Sequence, residues 1–230
     1  LGDVYKRQII YHGSDHIIEK PEYGKGGYSN DFGRGFYCTE SMQLAKEWAC
    51  AKNCDGYANK YELDMRELKV LNLNSGEYSI LNWLALLTRY RSYWQQKSIA
   101  EQAKEYLQKN FLIDISDYDV VVGYRADDSY FSFAQDFITG TISLAQLGQA
   151  MHLGKLGEQI VLKGRRAFDR LSFLTYDEAD AGEYFLKKTQ RDREARREYR
   201  RLSAIDAEVD DIYMICLLYT SPSPRDSTSS

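Results

Sequence analysis

The sequence predicts an α+β fold, in which strands and helices do not alternate regularly. Two observations carry this prediction. Short apolar, β-branched or aromatic runs bounded by glycine recur along the chain, and such runs are typical of buried strands. Between them lie stretches with apolar residues at three- and four-residue spacing, which favours amphipathic helices. Because two strands come first and the helices follow in groups, the order differs from a regular βαβ succession.

The predicted strands are short and bounded by turn residues. The first ends at Gly13, and a glycine-rich loop over residues 22–35 separates it from the aromatic second strand. A β-branched run, "YDVVVGYRA", predicts a strand buried on both faces. In chain order the predicted strands are "IIYHGS", "GFYCT", "YANKYELD", "LKVLNL", "YDVVVGYRA", "EQIVLK" and "LSFLTY".

The predicted helices follow the periodicity of their apolar residues. The first is "ESMQLAKEWACAKN", for which Thr39 or Ser41 is a candidate N-cap. Residues 79–110 predict two further helices, a helical insertion between strands, and "SYFSFAQDFI" and "SLAQLGQAMHLGK" predict two more. The last, "DEADAGEYFLKKTQRDREARREYRRLSAI", is a long charged helix with opposite charges three and four residues apart. We expect it to be solvated, and its interleaved acids disfavour the alternative of an RNA-binding arm.

The composition is that of an ordinary globular protein. The chain has 230 residues, of which 43% are hydrophobic and 28% charged, enough for one domain with a substantial core. Its formal net charge of -4 disfavours binding of nucleic acid through a broad basic surface, and a local basic patch stays open. No apolar run approaches the roughly 20 residues that span a membrane, and no segment resembles a secretion leader. We therefore expect a cytoplasmic protein with no membrane partner.

Both ends of the chain match translated adapter DNA. The codons CTC GGA GAT GTG TAT AAG AGA CAG encode "LGDVYKRQ", the first eight residues, and their reverse complement encodes "CLLYTS", which begins at Cys216. This DNA resembles the transposon-derived adapter of sequencing libraries. We expect residues 1–8 and 216–230 to be adapter-derived tails, and residues 9–215 to form one domain whose native C-terminus is missing.

The cysteines outside these tails do not predict a metal site. Cys50 and Cys54 lie four residues apart, without a second pair or a nearby histidine. An odd number of thiols favours a reducing compartment. Cys38 points away from its neighbour Tyr37 on the predicted strand, so we expect it in the core.

Three places carry residues suited to chemistry. They are His12-Gly13-Ser14 at the end of the first strand, the glycines before Tyr37, and Glu158-Gln159 at the start of a late strand. Taken singly, each has a structural explanation: a turn histidine, a glycine-rich approach to a core strand, and a solvated strand start. The glycine-rich residues 22–35 lack the G-x-G-x-x-G spacing of a dinucleotide fingerprint and the G-K-[ST] of a P-loop.

In their order along the chain, these three places resemble the ADP-ribosyltransferase superfamily. The sequence is most similar to a bacterial family of unknown function within it, numbered thirty-nine ninety. The blocks that carry the resemblance are "YHGS", "NDFGRGFYCTES", "AKEWA", "YDVVVGYRADDSYF" and "LGKLGEQIVLK", and together they cover nearly all of residues 9–215.

The resemblance implies a fold and a function. The fold is a split pair of small antiparallel sheets that clamp NAD, here with a helical insertion and a charged C-terminal helix. The implied function is mono-ADP-ribosyl transfer to a macromolecular acceptor or hydrolysis of NAD, with no metal, in a bacterial toxin or effector that an antitoxin protein could accompany. The alternative is a non-catalytic module that binds NAD, ADP-ribose or a protein partner.

The resemblance also assigns residues to the NAD site. It implies that His12 binds the adenosine-ribose hydroxyls, that the backbone of Gly13 holds the nicotinamide amide, and that Tyr37 stacks on the nicotinamide ring. Glycine permits close approach of a ligand to the backbone, which predicts that Gly33 and Gly35 clear the way for that ring. The other cofactor-binding residues expected are Ser14, Gly35, Phe36 and Thr39.

The third catalytic position, beside Tyr37, stays open between two neighbours. The poly-ADP-ribose enzymes imply Glu158, and the closer bacterial family implies Gln159. Because adjacent residues of a strand point to opposite faces, one of the two at most reaches the ribose. A carboxylate favours the positive charge that develops when the nicotinamide bond breaks, whereas an amide lacks that charge.

The segment "GYRADDSYF" is a second candidate region. Asp127 is a candidate N-cap for the following helix. Arg125 and Asp128 are candidates for the side of the site that faces an acceptor.

Overall fold

The computed structural model describes residues 7–91, 98–126, 128–155, 157–205 and 211–220. The strands are β1 (Arg7–Ser14), β2 (Phe36–Cys38), β3 (Gly56–Asp64), β4 (Val70–Asn72), β5 (Val120–Tyr124), β6 (Glu158–Leu162) and β7 (Leu171–Ala179). The helices are α1 (Met42–Ala49), α2 (Ile80–Tyr90), α3 (Ser98–Phe111), α4 (Asp128–Ile138), α5 (Leu144–Ala150), α6 (Arg165–Asp169), α7 (Ala181–Ser203) and α8 (Met214–Thr220). The predicted α+β class is confirmed.

The strands form two separate sheets. One has three strands in the order β1-β3-β7, all antiparallel, and the other has four in the order β2-β6-β5-β4. The expectation of purely antiparallel sheets is wrong for the second, because β4 pairs parallel with β5. A parallel pair needs a long crossover, and the helical insertion formed by α2 and α3 supplies it.

A backbone bridge joins the two sheets. Tyr11 of β1 and Thr39, just after β2, exchange both hydrogen bonds, at N···O distances of 2.8 and 2.9 Å. This bridge sets the strand that carries His12 beside the strand that carries Tyr37. It is the first structural reason that the predicted site residues come together.

The described residues form three apolar clusters, and the two with the most members hold the sheets and helices. The larger packs α2 and α4 against the four-stranded sheet, and Trp83, Leu84, Phe133 and Phe137 are almost fully buried in it. The second lies between the sheets, where Ile10, Tyr61, Leu63, Val120 and Leu162 are completely enclosed. Burial of a large apolar side chain contributes about 1.5–3 kcal/mol, so the second cluster stabilises the arrangement of the two sheets.

The elements agree with the predicted ones, with two additions. Ser41, one of the two N-cap candidates, caps α1, since its Oγ accepts a hydrogen bond from Leu44 N at 3.3 Å. Helix α6 was not predicted, because five residues are too few to show a period. Helix α8 includes residues of the expected C-terminal tail, and Met214 at its start is buried.

The long charged helix α7 lies against the body of the protein. Ala195 and Tyr199 are buried, the Tyr199 ring stacks on Phe133 at 3.9 Å, and its hydroxyl donates to Asp136 at 2.6 Å. The prediction of a helix is confirmed, and the prediction that it is solvated is wrong for this face. A few well-placed aromatic contacts dock it although its sequence is mostly charged.

Among the described residues, no helix is both long enough and apolar enough to cross a membrane. Within the same residues, no group of three or more His, Cys, Asp or Glu side chains is placed to hold a metal ion. Cys38 is buried as expected, and Cys54 is exposed.

Candidate functional site

Two cavities meet at Tyr37, in the junction between the sheets. The first, of about 590 Å³, is bordered by His12, Phe36 and the loop that follows β1. The second, of about 360 Å³, is bordered by Trp48, Gln159 and several charged side chains. Asn30 and Tyr37 border both. Each volume lies in the range of about 300–1,000 Å³ that is usual for small-molecule sites.

A buried asparagine holds the loop after β1, which forms one wall of the first cavity. Asn59 of β3 accepts a hydrogen bond from Ile18 N at 2.9 Å and donates to the Ser14 hydroxyl at 2.9 Å. The Ser14 hydroxyl in turn donates to the carbonyl oxygen of His16 at 2.6 Å. Ser14 therefore shapes the loop after β1.

His12 is held as a neutral ring. Its Nδ1 lies 2.7 Å from the carbonyl oxygen of Tyr37, and its ring stacks on Phe36 with centroids 4.2 Å apart. Burial lowers the pKa of His12, and the hydrogen bond to the carbonyl opposes that shift in part. A carbonyl can only accept, so Nδ1 carries the hydrogen and Nε2 is left as an acceptor. Such a nitrogen suits a ligand hydroxyl.

The Tyr37 hydroxyl is hydrogen-bonded to the backbone of the loop that precedes β2. It donates to Gly33 O at 2.7 Å and accepts from Phe32 N at 3.0 Å. Burial raises the pKa of this phenol far above its usual value, so it stays protonated. Tyr37 thus offers a ligand its ring, and the hydroxyl holds the loop.

The register of β2 and β6 decides between the two candidates for the third position. Tyr37 faces Val161 across the strands, so the alternation of side chains puts Gln159 on the face of Tyr37. Gln159 is 2% exposed and borders the second cavity. Glu158 is exposed on the opposite face, where it accepts a hydrogen bond from Asn74 Nδ2 at 2.8 Å.

A buried carboxylate stands next to Gln159. The Gln159 amide nitrogen donates to Asp31 Oδ2 and to the carbonyl oxygen of Tyr124, both at 2.9 Å. The same Asp31 oxygen accepts from Ala126 N at 2.8 Å, and Oδ1 lies 3.3 Å from Arg91 Nε. Burial raises the pKa of Asp31, and the Arg91 guanidinium opposes that shift.

Basic side chains dominate the charged lining of the second cavity. Of the described residues, Arg91, Arg125 and Lys188 border it together with one carboxylate, that of Asp31. The Arg125 guanidinium lies 4.1 Å from the centre of the Trp48 ring, a cation–π contact. Among the described residues, none pairs with the buried Nε1 of Trp48. This lining suits oxygen atoms that carry negative charge.

The glycines of the site are explained by packing within the protein. A Cβ on Gly13 would lie 1.9 Å from the carbonyl oxygen of Ala45, where α1 crosses β1. One on Gly35 would lie 2.5 Å from Val161 Cγ1. Gly33 has φ +71° and sits under the Tyr90 ring. These contacts explain Gly33 and Gly35 without a nicotinamide ring, so the predicted role of the two glycines in clearing its approach stays a prediction.

The expected cofactor-binding residues divide into two groups. Four of them, His12, Gly35, Phe36 and Tyr37, border the first cavity. The others, Gly13, Ser14 and Thr39, are not among the described residues that border either cavity. Thr39 is buried, and its hydroxyl accepts from Ser41 N at 3.2 Å. These residues fix the backbone behind the site.

The second candidate region is partly described. Arg125 borders the second cavity, beside Gln159. Asp127 and the side chain of Asp128 lie outside the described residues, so their predicted roles stay predictions.

Sequence reasoning missed Asp31, Arg91 and Trp48. Asp31 precedes an aromatic residue inside the block "NDFGRGFYCTES", and an acidic residue set beside a core aromatic is a signal that could have found it. Trp48 lies within the predicted first helix, "ESMQLAKEWACAKN", and it packs against the larger apolar cluster, as a core residue would. For Arg91, at the end of an apolar helix, the sequence carries no such signal.

The chain matches a known protein family. A family profile described as "Protein of unknown function (DUF3990)" matches residues 8–173. This span reaches from β1 into β7 and includes every residue of the site except Lys188. No curated protein and no solved structure matches the chain.

Proposed function

Because the chain belongs to the DUF3990 family of proteins of unknown function, we propose a function from its site: it is an NAD-binding protein of the ADP-ribosyltransferase type. One observation carries the proposal. His12, Tyr37 and Gln159 come from three different strands and border two cavities that share Tyr37. These are the residues to which the resemblance assigns ribose, nicotinamide and the third position.

The chemistry of the lining fits the parts of NAD. The acceptor nitrogen of His12 suits ribose hydroxyls, and the Tyr37 ring offers a surface to a flat, positively charged ring. Arg125 and Lys188 suit the oxygens of a diphosphate, and the Trp48 N–H, which bonds to none of the described residues, is a further donor. The lining thus offers partners for a ribose, for the nicotinamide ring and for the diphosphate.

The amide of Gln159 at the third position favours binding of NAD over its rapid cleavage. Breaking the bond between nicotinamide and ribose creates positive charge on the sugar, and a nearby carboxylate stabilises it. The side chain beside Tyr37 is the amide of Gln159, and Asp31 behind it is paired with Arg91. Glu158, the other candidate, lies on the opposite face. We therefore rank NAD binding first, and ADP-ribosyl transfer or NAD hydrolysis second.

Two elements of the expected function remain predictions. They are a macromolecular acceptor for ADP-ribose and an antitoxin protein as partner, both of which rest on the family resemblance. The basic side chains of the second cavity border the space that an acceptor group would approach if transfer takes place.

NAD binding can be tested by calorimetry and thermal unfolding of the full chain. We expect NAD at about a hundredfold excess over Kd to stabilise the wild type by about 2.7 kcal/mol. His12→Ala should lose most of this stabilisation, whereas His152→Ala should keep it, because His152 borders a separate cavity with Glu158. A wild type that NAD does not stabilise would refute the proposal.

Cleavage needs a separate measurement. Nicotinamide release from NAD should be close to background in the wild type if the site binds without cleaving. Rapid release that Tyr37→Ala abolishes would instead establish the transferase or hydrolase function. Tyr37→Phe is the matched control, since it keeps the ring and removes the hydroxyl.

A further inference from the structure

Two arginines lie over the rings of exposed tyrosines outside the two cavities. The guanidinium carbon of Arg34 lies 3.7 Å from the centre of the Tyr28 ring, and that of Arg165 lies 5.0 Å from the centre of the Tyr23 ring. Tyr28 is 68% exposed and Tyr23 is 50% exposed, and both arginines are exposed. None of the four is among the described residues that border either cavity. They therefore belong to a surface separate from the proposed NAD site.

Both pairs lie where β6 leads into α6. Strand β2 is the neighbour of β6, and Lys163, the residue after β6, donates from Nζ to the carbonyl oxygen of Arg34 at 2.7 Å. Tyr23 lies edge-on against Phe168 of α6, with ring centres 5.6 Å apart. The loop between β1 and β2 thus brings its two tyrosines to the same end of β6.

This surface is locally basic in a chain whose net charge is -4. Residues 163–170 carry four basic side chains and one acidic one. Among the described residues, no carboxylate pairs with Arg34 or Arg165. Arg166 is paired with the buried Asp119 at 2.7 Å, yet its side chain is 61% exposed. Positive charge and open aromatic rings therefore occur together here.

We propose that this surface, the Arg–Tyr stripe formed by Tyr23, Tyr28, Arg34, Arg165 and Arg166, binds single-stranded nucleic acid. Guanidinium groups pair with phosphate oxygens, and exposed tyrosine rings stack on unpaired bases. A duplex keeps its bases stacked on one another, so it offers the stripe its phosphates alone. The site goes beyond the proposed function, because none of its contacts depends on NAD.

Fluorescence anisotropy of the full-length wild type with labelled oligonucleotides tests the proposal. The probes are oligouridylate and oligodeoxyuridylate of about 12 nucleotides, a length within the usual footprint of single-strand sites, and a DNA duplex of equal length. We expect a single strand to bind at least about tenfold more tightly than the duplex, and to weaken as salt is raised. The two single strands differ in the 2′-hydroxyl, so their ratio shows whether RNA or DNA is preferred.

Substitutions at Tyr28 separate stacking from charge. Tyr28→Leu should weaken binding of the single strand about tenfold, the effect of one lost stacked base, whereas Tyr28→Phe should keep the affinity. Tyr176→Leu is the matched control, because Tyr176 is also exposed but lies on β7 of the other sheet. Arg34→Ala should weaken binding and lower its salt dependence, as the loss of a phosphate contact does.

A second control tests the long helix α7 as the binding element. Arg196→Ala, at an exposed position of α7, should leave the affinity unchanged. If it weakens binding while Tyr28→Leu does not, α7 binds the strand and the assignment to the stripe is overturned.

Three further results would overturn the proposal. They are no binding of either single strand by the wild type, binding of the duplex as tight as that of the strands, and displacement of the strand by inorganic polyphosphate at equal phosphate concentration, which would show a patch for phosphate alone. The NAD test is independent. Tyr28→Leu should keep the stabilisation by NAD, since Tyr28 borders neither cavity, and a wild type that NAD does not stabilise leaves the stripe standing.

Discussion

Arg191 of α7 donates two hydrogen bonds to one carboxylate oxygen of Glu47 on α1, from Nε at 2.9 Å and from Nη2 at 2.6 Å. The side chains are 14% and 9% exposed. Helix α1 packs directly on β1, the strand that carries His12, so this ion pair attaches the long charged helix to the scaffold of the site. Part of the charge in α7 is therefore structural, and Lys188 of the same helix borders the second cavity.

Arg191→Met should destabilise the protein by about 3–5 kcal/mol, because it leaves the Glu47 carboxylate buried without a partner. Urea unfolding of the full chain measures the change. Arg196→Met, an exposed position on the same helix, is the control and should change the free energy of unfolding by less than about 0.5 kcal/mol. Equal stabilities of the two variants would show that α7 is not held by this pair.

Gly13→Ala should be strongly destabilising, by about 3 kcal/mol or more, since the new methyl group would overlap the backbone carbonyl of Ala45. Thermal unfolding would report it as a lower midpoint. In α5, by contrast, a Cβ on Gly148 meets nothing within 4 Å. Gly148→Ala should raise stability by about 0.5–1 kcal/mol through helix propensity. A tolerated Gly13→Ala would contradict the close approach of α1 to β1.

The lowered pKa of Lys163 predicts that the free energy of unfolding increases at alkaline pH. Burial lowers the pKa of Lys163 from 10.5 to about 8 in the folded protein, while its Nζ donates to Phe32 O and Arg34 O. Between these two pKa values the unfolded chain binds more protons than the folded one, so the free energy of unfolding contributed by this group rises with pH. Allowing for its partial exposure, we expect a gain of about 1–2 kcal/mol across that window.

The measurement is urea unfolding of wild type and Lys163→Met at the two ends of that window. The wild type should gain stability relative to the variant as the pH rises. Lys109→Met, at an exposed position of α3, should show no such relative change. A constant difference between wild type and Lys163→Met would refute the lowered pKa.

Tyr37→Phe separates the two roles of this residue. It removes the hydroxyl that bonds Gly33 O and Phe32 N, so we expect a loss of about 1–3 kcal/mol in stability. The ring remains, so NAD binding should persist within about threefold of wild type. Calorimetry at a temperature where both proteins are folded checks this. If Tyr37→Phe is as stable as the wild type, the hydroxyl does not hold the loop. If it has lost NAD binding, the ring alone does not account for the contact with the ligand.

The secondary structure was largely predictable from local patterns. The strands that carry His12, Tyr37 and Gln159 are short apolar runs bounded by glycine, and the structure has each of them. The parallel pairing of β4 and β5 was not predictable, because strand direction depends on where the helical insertion crosses the sheet. The docking of α7 was missed since Tyr199 and Ala195 are too few to give a clear apolar stripe.

The candidate site was predictable in part. Sequence reasoning named His12, Phe36, Tyr37 and Gln159, and each borders at least one of the two cavities. It could not choose between Glu158 and Gln159, because alternation along a strand says that they face apart and leaves open which one faces Tyr37. The pairing of Tyr37 with Val161 decides this.

By itself the sequence determined the mixed α+β composition, the order of the elements and the residue types that could meet a dinucleotide, since these depend on local propensity and short motifs. The tertiary structure alone decided which side chains are neighbours. It brought Asp31 to Gln159 and Arg191 to Glu47 across more than a hundred residues each. The physical reason is that contacts between distant segments follow from sheet register and helix packing, which local sequence does not encode.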